Sequence, residues 1–271
     1  MHCWIDGQPA TAVNLQNRGL AYGDGLFETI AVRGGRPSLL AQHLDRLALG
    51  CQRLVIDVDL AVVRDELVRY ASQLGEGVSK LILTRGDSQR GYAPAAGSPA
   101  RRLLQCSPLP AYPQGNADSG IRLFPCQTRL AEQPLLAGLK HLNRLEQVLA
   151  RAEWQDSTYA EGLMRDVQGR LVEGVYSNLF LVRDGVLLTA DLSRCGVAGV
   201  MRAVLLEQAV RLGIPAVVCD LALEDLQQAD EVFVCNSVYG IWPVREFAAL
   251  NWPAGPLTRK LQAVARTLLD T

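Results

Sequence analysis

Residues 137–153 read "AGLKHLNRLEQVLARAE". From Leu142 onward the apolar residues fall at Leu142, Leu145, Val148, Leu149 and Ala152, the spacing of one face of an amphipathic helix. Pro134 and Gly138 argue against carrying that helix backwards. The pattern therefore predicts Lys140 at a loop-to-helix junction. Such a lysine has two readings. If the helix did run back, Lys140 would share an ordinary polar face with Arg144, Gln147 and Arg151. A lysine used for Schiff-base chemistry needs instead a desolvated setting that leaves a neutral amine. Leu135, Leu136 and Leu139 permit such a setting.

Outward from this stretch, 271 residues with 49% hydrophobic and 20% charged side chains make a globular chain with ample core. A net charge of −1 and the lack of a dense Lys/Arg block count against nucleic acid or a membrane surface as partner. "MHCWIDGQPA" at the start has neither the basic onset nor the apolar core of a secretory signal, and no apolar run has membrane-span length. The expectation is a soluble cytoplasmic protein. Seven scattered cysteines with no C-x-x-C pair read as thiols in a reducing compartment rather than a disulfide framework. His2, His43 and His141 lie far apart, and their spacing asks for no metal.

Strand and helix signals alternate along the chain, predicting an α/β (α+β) fold. Phe27 to Val32 reads as a strand turning at Gly34-Gly35; the stripes Leu40, Leu44, Leu47, Cys51, Leu54 and Leu60, Val63, Leu67, Leu74 read as two helices. "VSKLILT" and "RRLLQC" read as strands, and a proline-rich stretch follows. The economical division is a smaller N-terminal domain at 1–107, a linker at 108–119 and a larger C-terminal domain at 120–271. The latter would hold "IRLFPC", the Lys140 helix, hairpins between Glu161 and Leu188, the helix "MRAVLLEQAVRLG", the strand "EVFVC" and a terminal helix after Pro256.

No G-x-S-x-G elbow, Walker loop or G-x-G-x-x-G after a strand is found, which disfavours serine hydrolases, nucleotide hydrolases and Rossmann dehydrogenases. Gly196 and Gly199 open the backbone before a helix, a setting whose amides suit one phosphate; glycines also simply end loops. After "EVFVC" the chain delivers Asn236 and Ser237, either hydrogen-bonding groups or an ordinary turn. Glu173, beside Gly174, is a solvated turn residue or a carboxylate facing a heterocyclic nitrogen. Arg46, flanking an apolar stripe, either solvates its head or clamps a phosphate.

Together these segments resemble one family. "GLKHLNRLEQVLAR" is similar to the lysine segment of the 4-amino-4-deoxychorismate lyases, within the fold-type IV group of pyridoxal-phosphate enzymes that also includes D-amino acid and branched-chain aminotransferases. "RGLAYGDGLFETI", "HLDRL", "TRGDSQRGY", "EGVYSNLF", "GVAGVMR" and "ADEVFVCNS" extend the likeness over nearly the whole chain in the family's order. The run from Lys140 to Leu149 favours the lyases over their transaminating relatives.

The resemblance implies pyridoxal 5'-phosphate as cofactor, Lys140 as the Schiff-base lysine and Glu173 at the pyridine nitrogen. It implies Arg46, the amides of Val200 and Met201, and Asn236 and Ser237 at the phosphate, with Val197 against the ring. Arg90 and Tyr92 match positions that meet the substrate carboxylate in some relatives. Phe27 stands where aminotransferases often carry a tyrosine. The implied reaction turns 4-amino-4-deoxychorismate, a small-molecule substrate, into 4-aminobenzoate and pyruvate for folate biosynthesis; the alternative is amino transfer. A homodimer is implied by the family alone.

Overall fold

The structure, a computed structural model, describes residues 3–94 and 97–270. They form two compact units. Unit 1 holds the described residues of Met1–Pro110, Leu139–Asn143 and Leu269–Thr271; unit 2 holds Ala111–Gly138 and Arg144–Leu268.

In unit 1 the elements run β1 (Trp4–Ile5), β2 (Gln8–Pro9), α1 (Arg18–Tyr22), β3 (Gly25–Arg33), β4 (Arg36–Pro37), α2 (Leu40–Leu54), α3 (Leu60–Leu74), β5 (Gly77–Thr84) and β6 (Arg101–Ser107). The strands make one antiparallel sheet in the order β2-β1-β6-β5-β3-β4. Gly34 and Gly35, both at positive φ, turn β3 into β4, a conformation that glycine adopts without a Cβ clash. The α2 stripe packs inward through Leu47 and Cys51, and Asp59 caps α3 by accepting from the Ala61 and Val62 amides. Leu47, 1% exposed, alone contributes about 1.5–3 kcal/mol of burial. Leu139 is part of this core.

Unit 2 runs α4 (Gly115–Asp118), β7 (Ile121–Leu130), α5 (Leu145–Ala152), β8 (Tyr159–Asp166), β9 (Leu171–Gly174), β10 (Asn178–Arg183), β11 (Val186–Ala190), α6 (Val200–Arg211), β12 (Ala216–Cys219), α7 (Leu223–Gln227), β13 (Glu231–Asn236), β14 (Gly240–Phe247), β15 (Leu250–Asn251) and α8 (Pro256–Asp270), whose last residues count with unit 1. Six strands close a ring, β10-β13-β14-β7-β8-β9 and back to β10. A single residue pair, Glu173 with Asn178, makes the closing step. Phe180 and Phe233 are register partners whose rings stack at 5.0 Å in the buried interior.

Four features differ from the sequence reading. The helix after Lys140 begins at Leu145, not Leu142, because residues 140–142 pair with β3 instead. Its apolar stripe faces outward: Leu145, Val148 and Leu149 are 76%, 60% and 60% exposed, while Gln147 and Ala150 face inward. Residues 108–119 contain α4, and Leu139–Asn143 counts with unit 1 although it lies within 120–271. Strand β14 went unread because Pro243 interrupts its pattern. Among the described residues no helix is long and apolar enough to cross a membrane, and none of the seven cysteines forms a disulfide.

Candidate active site

Unit 1 carries Lys140 on a short strand-like segment. The Lys140 carbonyl accepts from the Phe27 amide at 2.9 Å, the Leu142 amide donates to Gly25 at 3.0 Å, and His141 bridges to Leu26. Buried Leu139 anchors the segment at its start, whereas Leu135, in unit 2, is 78% exposed. Lys140 Nζ lies 4.3 Å from the centroid of the Phe27 ring, which thus serves as the platform under the amine; Lys80 Nζ reaches the same ring at 5.2 Å.

Arg46 on α2 is not a solvated flank residue. Its Nε donates to Glu28 Oε1 at 2.9 Å and its second terminal nitrogen to Glu28 Oε2, while His43 Nδ1 lies 2.5 Å from Oε2. Burial pushes the Glu28 pKa up, but Arg46 and His43 outweigh it and hold the carboxyl down at about 2. Burial lowers the His43 pKa, the charges of Arg46 and Lys140 push the same way, and Glu28 opposes them.

Arg90 and Tyr92 stand exposed on a loop that sequence reasoning left without a support. Buried Arg18 supplies one: it donates to Asp24 (2.7 Å), Ser88 Oγ (3.0 Å), the Gly91 carbonyl (3.1 Å) and the Tyr92 carbonyl (2.8 Å). Its signal was the arginine in "RGLAYGDG", quoted but given no role.

Unit 2 gathers the remaining residues at the seam of the ring. Glu173, 4% exposed, accepts the Val197 amide on Oε2 at 2.8 Å, and Asn178 Nδ2 donates to the Val197 carbonyl at 2.9 Å. The pairs Gly138 N–Gly196 O and Ala198 N–Gly138 O hold the same loop from its other side. Gly199 caps α6 with no side-chain partner, so the first amides, those of buried Val200 and Met201, start a helix whose dipole favours an anion. A Cβ at Gly199 would lie 1.9 Å from Asn178 Oδ1, which explains the glycine there.

Asn236 behaves as a turn former. Its Oδ1 accepts from the Val238 and Tyr239 amides and its Nδ2 donates to the Tyr176 carbonyl, which sets the turn carrying Ser237. Asn178, within "EGVYSNLF", was missed as a site residue. So was Arg144, whose pKa burial lowers while Glu173 and Glu146 raise it. Among the described residues no group of three or more His, Cys, Asp or Glu is arranged to hold a metal ion.

Residues 25–247 match the family model of class IV amino-transferases. The aminodeoxychorismate lyase of Vibrio harveyi is 37% identical over 269 residues, spanning 97% of this chain and 99% of its own. The crystal structure of 4-amino-4-deoxychorismate lyase from Pseudomonas aeruginosa is 60% identical with a TM-score of 0.97, covering 99% of this chain and 100% of that one. The branched-chain amino acid aminotransferase of Escherichia coli superposes with a TM-score of 0.87 at 25% identity over 100% of this chain and 95% of that one. With the match running through β3, Lys140, Glu173 and the start of α6, the chain belongs to the class IV amino-transferase family and has the two-unit fold-type IV architecture.

Proposed function

We propose that this chain is a pyridoxal-phosphate-dependent aminodeoxychorismate lyase, releasing 4-aminobenzoate and pyruvate from 4-amino-4-deoxychorismate. The carrying observation is its full-length likeness to the lyases at 60% and 37% identity, against 32% for a putative branched-chain-amino-acid aminotransferase and 25% for the aminotransferase structure. The donor set fits the cofactor: an amine on Lys140, a buried carboxylate on Glu173, and a helix start led by a glycine that excludes a Cβ.

In this reading Lys140 holds the cofactor covalently. The Val200 and Met201 amides, Ser237 and Arg46 bind its phosphate, Glu173 faces the ring nitrogen, and Val197 packs on the ring. When bound, the cofactor supplies the electron sink for a carbanion. Glu173, anchored through one oxygen by the Val197 amide, keeps negative charge where the ring nitrogen is protonated. Lys140, a neutral amine once the substrate amine has displaced it, would take the proton from the substrate carbon that bears nitrogen. The adjacent carbon–oxygen bond breaks, its electron pair leaves on the enolpyruvyl oxygen, and the six-membered ring becomes aromatic. Lys140 then returns a proton to the enol, giving pyruvate. Arg90, Tyr92 and Phe27 would contact substrate.

A cytoplasmic homodimer completes the proposal. The exposed Leu145, Val148 and Leu149 face supports it as apolar surface for a second copy to cover, and light scattering at twice the chain mass tests it. The activity is tested with purified protein and aminodeoxychorismate: equal amounts of 4-aminobenzoate and pyruvate are expected, with a borohydride-fixed adduct on the Lys140 peptide. A keto acid formed by amino transfer, without 4-aminobenzoate, would establish the aminotransferase alternative.

A further inference from the structure

Glu161 on β8 has no solvent exposure and no part in the chemistry above. Its two oxygens collect four donors. Oε1 accepts the amides of Gly162 (2.8 Å) and Val175 (3.0 Å); Oε2 accepts Ser177 Oγ (2.7 Å) and the Tyr176 amide (3.4 Å). Three of these donors are the consecutive residues 175–177, the entire connection between β9 and β10. Glu173 stands two residues before that connection and Asn178 directly after it. Those two side chains hold Val197 through its amide and its carbonyl. The connection is tight enough that a Cβ on Gly174 would fall 2.2 Å from Ser177 Oγ and 2.9 Å from the Glu161 carboxyl. Its middle carbonyl, on Tyr176, takes the Asn236 side chain and so ties the Ser237 turn to the same frame.

We propose that Glu161 is a positioning residue: its ionised carboxylate fixes residues 175–177, and through them the aim of Glu173 and the seat of the 196–199 loop. The kinetic part rests on the reading that Glu173 faces the cofactor ring; the hold on the connection does not. An ionised carboxylate can accept from all four donors. A protonated one carries a hydrogen toward neighbours that are donating, and so gives up part of its hold. The titratable groups coupled to Glu161 are Tyr112, Tyr176, Tyr239 and Cys126, which burial raises and keeps uncharged at neutral pH. Burial likewise raises Glu161 to about 7, which puts the change of state near neutrality.

The test uses the holoenzyme and two readouts, steady-state kinetics from about pH 6 to 8 and amide hydrogen exchange of peptides covering 171–180 and 195–199. Glu161→Gln replaces one acceptor by a donor. It should lower kcat by roughly tenfold or more at about pH 8 with KM little changed, and remove an acid limb centred near pH 7. Both peptides should exchange faster than in wild type, and Glu161→Asp should recover part of both effects. Unchanged exchange in Glu161→Gln overturns the proposal. Should that variant not fold, wild type serves: protection of these peptides that is equal at about pH 6 and 8, after correction for intrinsic rates, also overturns it. Exchange that responds as expected in a protein making no 4-aminobenzoate sinks the lyase reading while keeping the hold of Glu161 on the connection.

Discussion

Glu28 in unit 1 and Glu161 in unit 2 are buried alike, at 2% and 0% exposure, yet their protonation behaviour is opposite. Glu28 faces a guanidinium and an imidazole and is held down at about 2. Glu161 faces backbone amides and a hydroxyl, and burial raises it to about 7. Neutral donors offset only part of the cost of dehydrating a carboxylate, whereas a full positive charge reverses the balance. Unit 1 thus builds its anionic centre from paired side chains, and unit 2 from the polypeptide itself.

The largest expected effect breaks the unit 1 arrangement. Arg46→Ala leaves Glu28 buried without its guanidinium and should cost about 3–5 kcal/mol in urea unfolding of cofactor-free protein. A loss under about 1 kcal/mol would mean that water or His43 takes over the charge. Next comes pH. Because Glu161 has a folded pKa above its ordinary 4.5, the folded state binds more protons than the unfolded chain between pH 4.5 and about 7. Folding stability is therefore highest below that window and falls as pH rises through it, on the order of 3 kcal/mol in all, because ionisation buries a charge even as it tightens the hold on residues 175–177. Glu28 runs the other way: its contribution is present above 4.5 and fades as pH falls toward 2. Unfolding curves between pH 5 and 8 should show a Glu161 component that Glu161→Gln removes. A smaller effect is expected from Ser177→Ala, which deletes one of the four donors and should cost about 1 kcal/mol by chemical denaturation. An unchanged midpoint there would make the backbone amides alone sufficient.

How far the sequence carried the fold is clearest in α2 and α5. Both have an apolar stripe at helical spacing, and both are helices. In α2 the stripe is core; in α5 it points outward while the helix rests on Ala150 and Gln147. Periodicity reports that one face differs from the other, but the direction of packing depends on the partner surface, which one segment does not encode. Leu149→Ser should accordingly weaken the proposed dimer but change the stability of protein diluted to the monomer by less than about 0.5 kcal/mol, and a loss of 2 kcal/mol or more in the monomer would mean the stripe packs within the chain.

The side chains that the proposed chemistry needs stand out in the sequence, as at Lys140, Glu173 and the glycines before α6. The site was obscure where a residue serves by shaping backbone. Glu161 in "YAEGLM" looks like any strand glutamate, because its partners arrive from a turn fourteen residues later. Asn236, expected at a phosphate, spends its side chain on its own turn. Arg46 has its acid partner 18 residues earlier on β3, a pairing that only strand-to-helix packing creates.

The route of the chain around Lys140 has a consequence for dissecting this protein. Residues 139–143 belong to unit 1, but Gly138 and Arg144 on either side belong to unit 2. A gene fragment ending at residue 110 would encode neither Leu139, which fills part of that core at 2% exposure, nor the backbone that pairs with the start of β3. The complementary fragment would carry Lys140 on a loop stripped of its strand partner. Neither half is a self-sufficient module. Splitting the gene near residue 110 should yield pieces that recover structure only when mixed, and a reporter split at that point would respond to reassembly.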